Sequence, residues 1–293
     1  MGAACPVIVL CAPRSFSSVT AAMLGQHPGL YAFPELNLFL TDTLGELLDW
    51  DMRPATARQY VGGLTRAIAE LEFGGQAAEP MERARDWLRA RRGWQTDTVF
   101  HFLTARTAPR AIVDKSPRTS MTKAACMRAV SMVPDGRFLH LTRHPATSIR
   151  SLSSTVVDKG IHVNRAFAQI WVRCQQSILE LTETLGCAQT LRVHGEEILR
   201  RPDEALGAVI DWLRLPRGAD CIELMKHPER SPFAYSIPEL CDSENDSEFL
   251  ANPQLRQPGP ELDCQTVSDL DLGMSLTKEV VEVALRLGYA SCD

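Results

Sequence analysis

Pro6-Val7-Ile8-Val9-Leu10-Cys11-Ala12-Pro13-Arg14-Ser15-Phe16-Ser17-Ser18-Val19 runs from a short apolar segment through a polar turn into a helical pattern. A strand that feeds a helix through such a turn makes an anion site. The turn's backbone N–H groups and the free N–H groups of the first helical turn converge on one point. Hydroxyl side chains and one cation, Arg14, complete a phosphate cradle. The Walker pattern Gly-x-x-x-x-Gly-Lys-Ser/Thr and its lysine are missing. The loop therefore predicts a phosphate ester other than an ordinary magnesium-bound nucleoside triphosphate.

Three more β-rich runs, at 111–114, 137–142 and 190–194, lie between long helical stretches. That spacing implies parallel strands joined by crossover helices, an α/β fold. Phe138-Leu139-His140-Leu141 follows the turn signal Pro134-Asp135-Gly136 and is almost continuously apolar, as a buried parallel strand beside the first one should be. Residues 37–108 read as helical and charge-laced, a helical cap inserted between the first two of these strands. Residues 166–185 form a long amphipathic helix whose apolar stripe takes Trp171 into the core, with Trp171 and Arg173 as an alternative wall for an acceptor. Pro202 opens a further helix carrying Leu206, Val209, Ile210 and Trp212. Residues 219–261 are polar and aperiodic, a surface excursion or a lid-like segment that orders over ligand.

With 293 residues, 45% hydrophobic and 23% charged, the chain can bury one large core, and 1–293 is read as a single domain. A net charge of −5 argues against a general nucleic-acid binder, so an anionic ligand must be held by a local pocket. The nine cysteines are odd in number and include no Cys-x-x-Cys pair, which fits reduced thiols in a cytoplasmic protein. The first apolar run is too short to span a bilayer, and no membrane partner is expected. Pro6 stands where an N-myristoylation motif needs a hydroxyl.

A second stretch, Arg137-Phe138-Leu139-His140-Leu141-Thr142-Arg143-His144-Pro145-Ala146-Thr147-Ser148-Ile149-Arg150-Ser151, repeats the strand-turn-helix plan. Two anion sites at the carboxyl ends of parallel strands suggest a ligand with two separated phosphates. Here the chain resembles the sulfotransferases that use 3′-phosphoadenosine-5′-phosphosulfate, with their P-R/K-S-G-T/S-x loop and R-x7-S element. Arg143…Ser151 matches the second element, and Pro13-Arg14-Ser15-Phe16-Ser17-Ser18 matches the first except that Phe16 replaces glycine. Further matches are His27-Pro28…Pro34-Glu35-Leu36, Asp114-Lys115-Ser116-Pro117 and Glu196-Glu197-Ile198…Pro202-Asp203…Asp211-Trp212-Leu213. Pro34-Glu35-Leu36-Asn37-Leu38 and His227-Pro228-Glu229-Arg230-Ser231-Pro232-Phe233 look like the polyketide and olefin-pathway branch; the Pro-Glu-Leu glutamate is also shared with the tyrosylprotein branch.

The resemblance implies a P-loop-like three-layer fold with a central parallel sheet. It implies that Arg14, Ser15, Phe16, Ser17, Ser18 and Val19 hold the 5′-phosphosulfate and that Arg143 and Ser151 hold the 3′-phosphate. It makes Glu35 the general base, puts Arg14 and Lys115 on the charge that develops during transfer, and places His227 near the acceptor. The acceptor expected is a hydroxyl of a small-molecule or carrier-protein-bound secondary metabolite, and no metal is expected. Phe16 leaves two backbone options open, a left-handed residue or an ordinary turn. Two rival functions share the strand-loop-helix logic: an NTP-using phosphotransferase, which lacks its lysine and a clear magnesium-binding aspartate here, and a non-catalytic nucleotide-binding module.

Overall fold

The computed structural model describes residues 5–52, 60–155, 161–218, 220–237, 247–256, 272 and 275–289. In chain order the elements are β1 (Val7–Leu10), α1 (Ser17–Leu24), β2 (Leu30–Ala32), α2 (Leu44–Asp51), α3 (Gly62–Phe73), α4 (Ala78–Ala90), α5 (Thr96–Thr107) and β3 (Ala111–Lys115). A 3-10 turn at Pro117–Met121 leads to α6 (Lys123–Met132), β4 (Arg137–Thr142), α7 (Pro145–Ser153), α8 (Ile161–Leu185) and β5 (Thr190–His194). Then come α9 (Gly195–Arg200), α10 (Pro202–Trp212), α11 (Cys221–Met225), α12 (Ser247–Ala251) and α13 (Lys278–Arg286).

Among the described residues the strands form one parallel sheet of order β2-β3-β1-β4-β5. Val7 pairs with Val113 on one side and with Arg137 on the other, so β1 is central and β4 lies beside it, as its apolar run predicts. From β1 the chain runs to the edge strand β2, returns to β3 beside β1, then crosses to β4 and β5. The carboxyl end of β1 is therefore the switch point where open α/β sheets bind ligands.

Alternation along β1 separates the two faces. Ile8 and Leu10 join Ile112, Phe138 and residues of α2 to α5, while Val7 and Val9 join Val113, Leu139 and residues of α1, α9 and α10. The result is a three-layer α/β fold. Each buried Val, Ile or Leu of these clusters contributes about 1.5–3 kcal/mol by leaving water. Helix starts follow local chemistry: Thr43 and Glu46 make a reciprocal capping box on α2, and Pro145 and Pro202 occupy the first turns of α7 and α10.

The structure adds a strand to the four expected. Leu30–Ala32 is only three residues long and carries no readable period, yet Leu30 pairs with Ala111. The helical stretch expected as a cap thus lies between β2 and β3. Its helices share one buried cluster with the sheet. Trp171 is buried, as its apolar stripe predicts, whereas Arg173 is exposed. Of the segment expected to be lid-like, 219, 238–246 and 257–261 fall outside the described residues.

Candidate functional site

Two left-handed residues set the backbone of the loop after β1: Arg14 at φ 64° and Phe16, the N-cap of α1, at φ 60° and ψ 18°. For a residue with a β-carbon that conformation costs about 1–2 kcal/mol, so neighbours must hold it. Arg143 Cζ lies 4.1 Å from the centroid of the Phe16 ring. Gly195, the first residue of α9, leaves the ring its room: a β-carbon there would stand 2.7 Å from Phe16 Cδ2, 3.1 Å from Thr142 O and 3.2 Å from Ser15 O. Of the two options open for Phe16, the chain takes the left-handed one.

The second predicted element reaches the same loop. Arg143 Nη1 donates to Arg14 O at 2.7 Å and its Nε to Thr147 Oγ1 at 3.0 Å. Ser148 Oγ donates to Pro13 O at 3.0 Å, and Arg14 Nε donates to Ser151 Oγ at 3.1 Å. Trp171 Nε1 donates to Arg143 O at 3.3 Å, which ties the long helix α8 to the end of β4. Ser17 and Ser18 open α1, with the half-buried Val19 next to them, while the buried Ser15 Oγ has no hydrogen-bond partner among the described residues. Two guanidinium groups, clustered hydroxyls and a helix N-terminus thus meet at the end of β1. Such a set binds phosphate esters.

One carboxylate already stands there. Glu248 Oε2 is 2.7 Å from Arg14 Nη2, and Arg256 also binds Glu248. The Arg256 hydrogen bond, helped by the charges of Arg256 and Arg14, holds the Glu248 carboxyl below its ordinary range.

The other half of the site hangs on the end of β3. Lys115 is 3% exposed, and its Nζ lies 3.2 Å from Glu35 Oε1 and 3.3 Å from Ser18 Oγ. A buried ammonium needs such partners, and these join the phosphate loop to the turn after β2. Beside Lys115 and Ser18 opens a pocket walled by Phe33, Pro34, Arg66, Phe233 and Phe249. Asp114, the neighbour of Lys115, is fully buried, and burial pushes its carboxyl up to about 7 against the pull of the Ser116 hydroxyl and the Leu36 N–H. Cys11, at the base of the loop, is an inert thiol that burial pushes up to about 12.

Arg14, Ser15, Phe16, Ser17, Ser18, Arg143 and Ser151 are thus gathered at one loop, and Lys115 links it to Glu35. Among the described residues His227 Nδ1 bonds Glu229 Oε1 at 2.8 Å, and it does not bond Glu35. Gly195 and Glu248 escape sequence reading, and Phe233, inside the branch-like stretch, and Phe249 gain their place in the pocket wall only from the structure. Only the glycine directly after the β5 run carried a usable signal, since a missing side chain beside a loop marks close approach. No group of three or more His, Cys, Asp or Glu suited to a metal ion occurs among the described residues, and no helix among them is long and apolar enough to cross a membrane.

The chain matches the model of the sulfotransferase family over residues 6–219. No curated protein sequence matches it. Among solved structures it is similar to the sulfotransferase domain from the curacin biosynthetic pathway, with TM-score 0.83 and 21% identity, covering 98% of this chain and 99% of that one. It is also similar to the sulfotransferase domain from the Synechococcus PCC 7002 olefin synthase, with TM-score 0.78 and 25% identity, covering 97% and 94%.

Proposed function

The chain belongs to the sulfotransferase family, and from that premise we propose that it moves a sulfuryl group from 3′-phosphoadenosine-5′-phosphosulfate to an alcohol. The carrying observation is the junction of two anion-binding elements, Arg14 with its loop and Arg143 with Ser151, to Lys115, which lines a pocket and holds the Glu35 carboxylate. The nucleotide supplies an activated sulfuryl group, whose bond to the 5′-phosphate oxygen breaks as the bond to the acceptor oxygen forms. The products are a sulfate ester and adenosine 3′,5′-bisphosphate.

The protein's part is binding, orientation and proton transfer. Arg14, Ser17, Ser18 and the N–H groups of α1 hold the 5′ end, with Ser15, Phe16 and Val19 shaping the loop, and Arg143 and Ser151 hold the 3′-phosphate. Glu35 takes the proton of the attacking hydroxyl. Lys115, fixed between Glu35 and Ser18, faces the charge that develops on the transferring group, and Arg14 faces the charge left on the 5′-phosphate. His227, with Nδ1 engaged by Glu229, keeps its other ring nitrogen for the acceptor side. The rings of Phe33, Phe233 and Phe249 give the acceptor side beside Lys115 an apolar wall. A hydroxyl on a small-molecule or carrier-protein-bound secondary metabolite fits that wall and the biosynthetic setting named for the two similar domains.

Two measurements test this. The bisphosphate at about 100 times its Kd should stabilise the protein by roughly 2.7 kcal/mol, and intact-mass analysis should find a sulfonate gain on a hydroxyl acceptor when the donor is present. Binding of the bisphosphate with no sulfonation across free and carrier-bound acceptors would leave a nucleotide-binding module instead.

A further inference from the structure

Glu35 stands between β2 and α2, outside any helix or strand. The turn that carries it is pinned by buried side chains. Leu36 N–H donates to Asp114 Oδ1 at 3.4 Å, and Asn37 N–H donates to Ser116 Oγ at 3.0 Å. The Ser116 hydroxyl donates in turn to the same Asp114 Oδ1 at 2.9 Å. Asp114, Ser116 and Asn37 are each 1% exposed. Asn37 is itself left-handed, at φ 56°, with its Nδ2 donating to Tyr60 O at 3.0 Å. On the far side Gly63, in the first turn of α3, lies against the same turn, where a β-carbon would fall 2.3 Å from Glu35 O.

Asp114 is a costly way to hold a turn. Its Oδ2 is buried with no hydrogen-bond partner among the described residues, a condition that costs about 1–3 kcal/mol. Unsatisfied groups of this kind in native proteins call for an explanation beyond packing. The explanation lies next to it in the chain. Lys115 holds the Glu35 carboxylate by its ammonium while Asp114 holds the backbone one residue further on. Consecutive residues of β3 thereby fix the Glu35 side chain and the peptide that follows it.

We propose that Asp114 is a positioning residue for sulfuryl transfer: through Leu36 N–H and the Ser116 hydroxyl it holds the turn that presents the Glu35 carboxylate to Lys115 and to the attacking oxygen. The proposal rests on the sulfuryl-transfer function. A misplacement of about 1 Å can lower a rate by roughly a hundredfold without touching the reacting groups.

The test compares Asp114→Ala, Asp114→Asn and Ser116→Ala by steady-state kinetics, by calorimetric binding of adenosine 3′,5′-bisphosphate and by crystal structures. Asp114→Ala should lower kcat by about 10- to 100-fold while the KM for donor and the bisphosphate Kd stay within about twofold. Asp114→Asn keeps the accepting oxygen and should recover kcat to within about threefold of the wild type, and Ser116→Ala should fall between. Asp114→Ala turning over like the wild type, or Asp114→Asn failing as badly as Asp114→Ala, overturns the proposal. So does a kcat loss matched by an equal loss of nucleotide affinity, the mark of a merely structural role. If Asp114→Ala does not fold, Ser116→Ala, which frees Asn37 N–H and takes one donor from Asp114 Oδ1, decides by the same kcat-against-Kd split. If the wild type sulfonates no acceptor, the proposed function fails separately. The crystal structures then decide: Glu35 leaving Lys115 in Asp114→Ala but not in Asp114→Asn supports the positioning role, and Glu35 in place in both refutes it.

Discussion

Replacing Gly195 by alanine should damage nucleotide binding although residue 195 is assigned no contact with the nucleotide. The new β-carbon would lie 2.7 Å from Phe16 Cδ2, against an ordinary carbon–carbon separation of about 3.5–4.0 Å. The ring or the start of α9 must move by about 1 Å. The ring is poorly placed to yield, because Phe16 is left-handed at φ 60° and its ring packs 4.1 Å from Arg143 Cζ. Overpacking of this kind costs about 1–3 kcal/mol. Alanine is the better helix former by about 1 kcal/mol, so any net loss points to the clash.

If the strain falls on the binding-competent loop, the bisphosphate Kd rises by roughly 5- to 150-fold, at 1.4 kcal/mol per tenfold. Phe16→Gly in the same chain removes the ring and the left-handed penalty. The double variant should recover much of the loss, though not all, because the contacts at 3.1 Å to Thr142 O and 3.2 Å to Ser15 O remain. Calorimetric titration of the wild type, both single variants and the double variant gives the coupling energy, expected between about 0.5 and 3 kcal/mol. Wild-type affinity in Gly195→Ala, or no rescue by Phe16→Gly, would refute the view that ring and glycine are one structural unit.

Three further outcomes follow from the same geometry. Arg143→Ala removes a guanidinium bonded to Arg14 O and should weaken bisphosphate binding by about 10- to 100-fold in calorimetry, the range of a charged hydrogen bond; unaltered affinity removes it from the 3′-phosphate site. Glu248→Gln takes a carboxylate off Arg14 and should tighten bisphosphate binding by about two- to fivefold, a surface pair's modest worth, with equal affinity showing that Glu248 does not compete. Asp114, ordinarily near 3.8 and about 7 in the fold, holds its proton more tightly folded than unfolded. Its stabilising share is full below about pH 4 and is lost as pH rises through 7, a change on the order of 4 kcal/mol. Denaturant unfolding of Asp114→Asn across that window should lose this downward slope, and a slope like the wild type's would mean the carboxyl titrates elsewhere.

Sequence and structure agree where chemistry is local. The strand-turn-helix at Val7 to Val19 and its repeat at Arg137 to Ser151 each carry their own apolar run, turn and helix start, so both of these elements and the parallel sheet are readable from the chain. What stays hidden depends on residues far apart in the chain meeting in space. Nothing near Phe16 says that Gly195 clears its ring, and nothing near Arg14 says that Glu248 will sit on it. β2 escapes because three residues are too few to show a period and its partner β3 lies eighty residues on. His227 stands between the two cases: its motif, Pro228-Glu229 included, is read from the chain, while the bond of its ring to Glu229 is seen only in the structure.

The central claim is that Glu35 and the two-phosphate loop together make a sulfuryl-transfer site, and the most direct measurement is sulfonate transfer by the wild type and by Glu35→Gln at saturating donor. The wild type should sulfonate a hydroxyl acceptor and release adenosine 3′,5′-bisphosphate. Glu35→Gln should bind the bisphosphate with unchanged affinity and turn over at least about 100-fold more slowly, the scale of a lost general base. Equal turnover by the two proteins, or no binding of either nucleotide to the wild type, would contradict it.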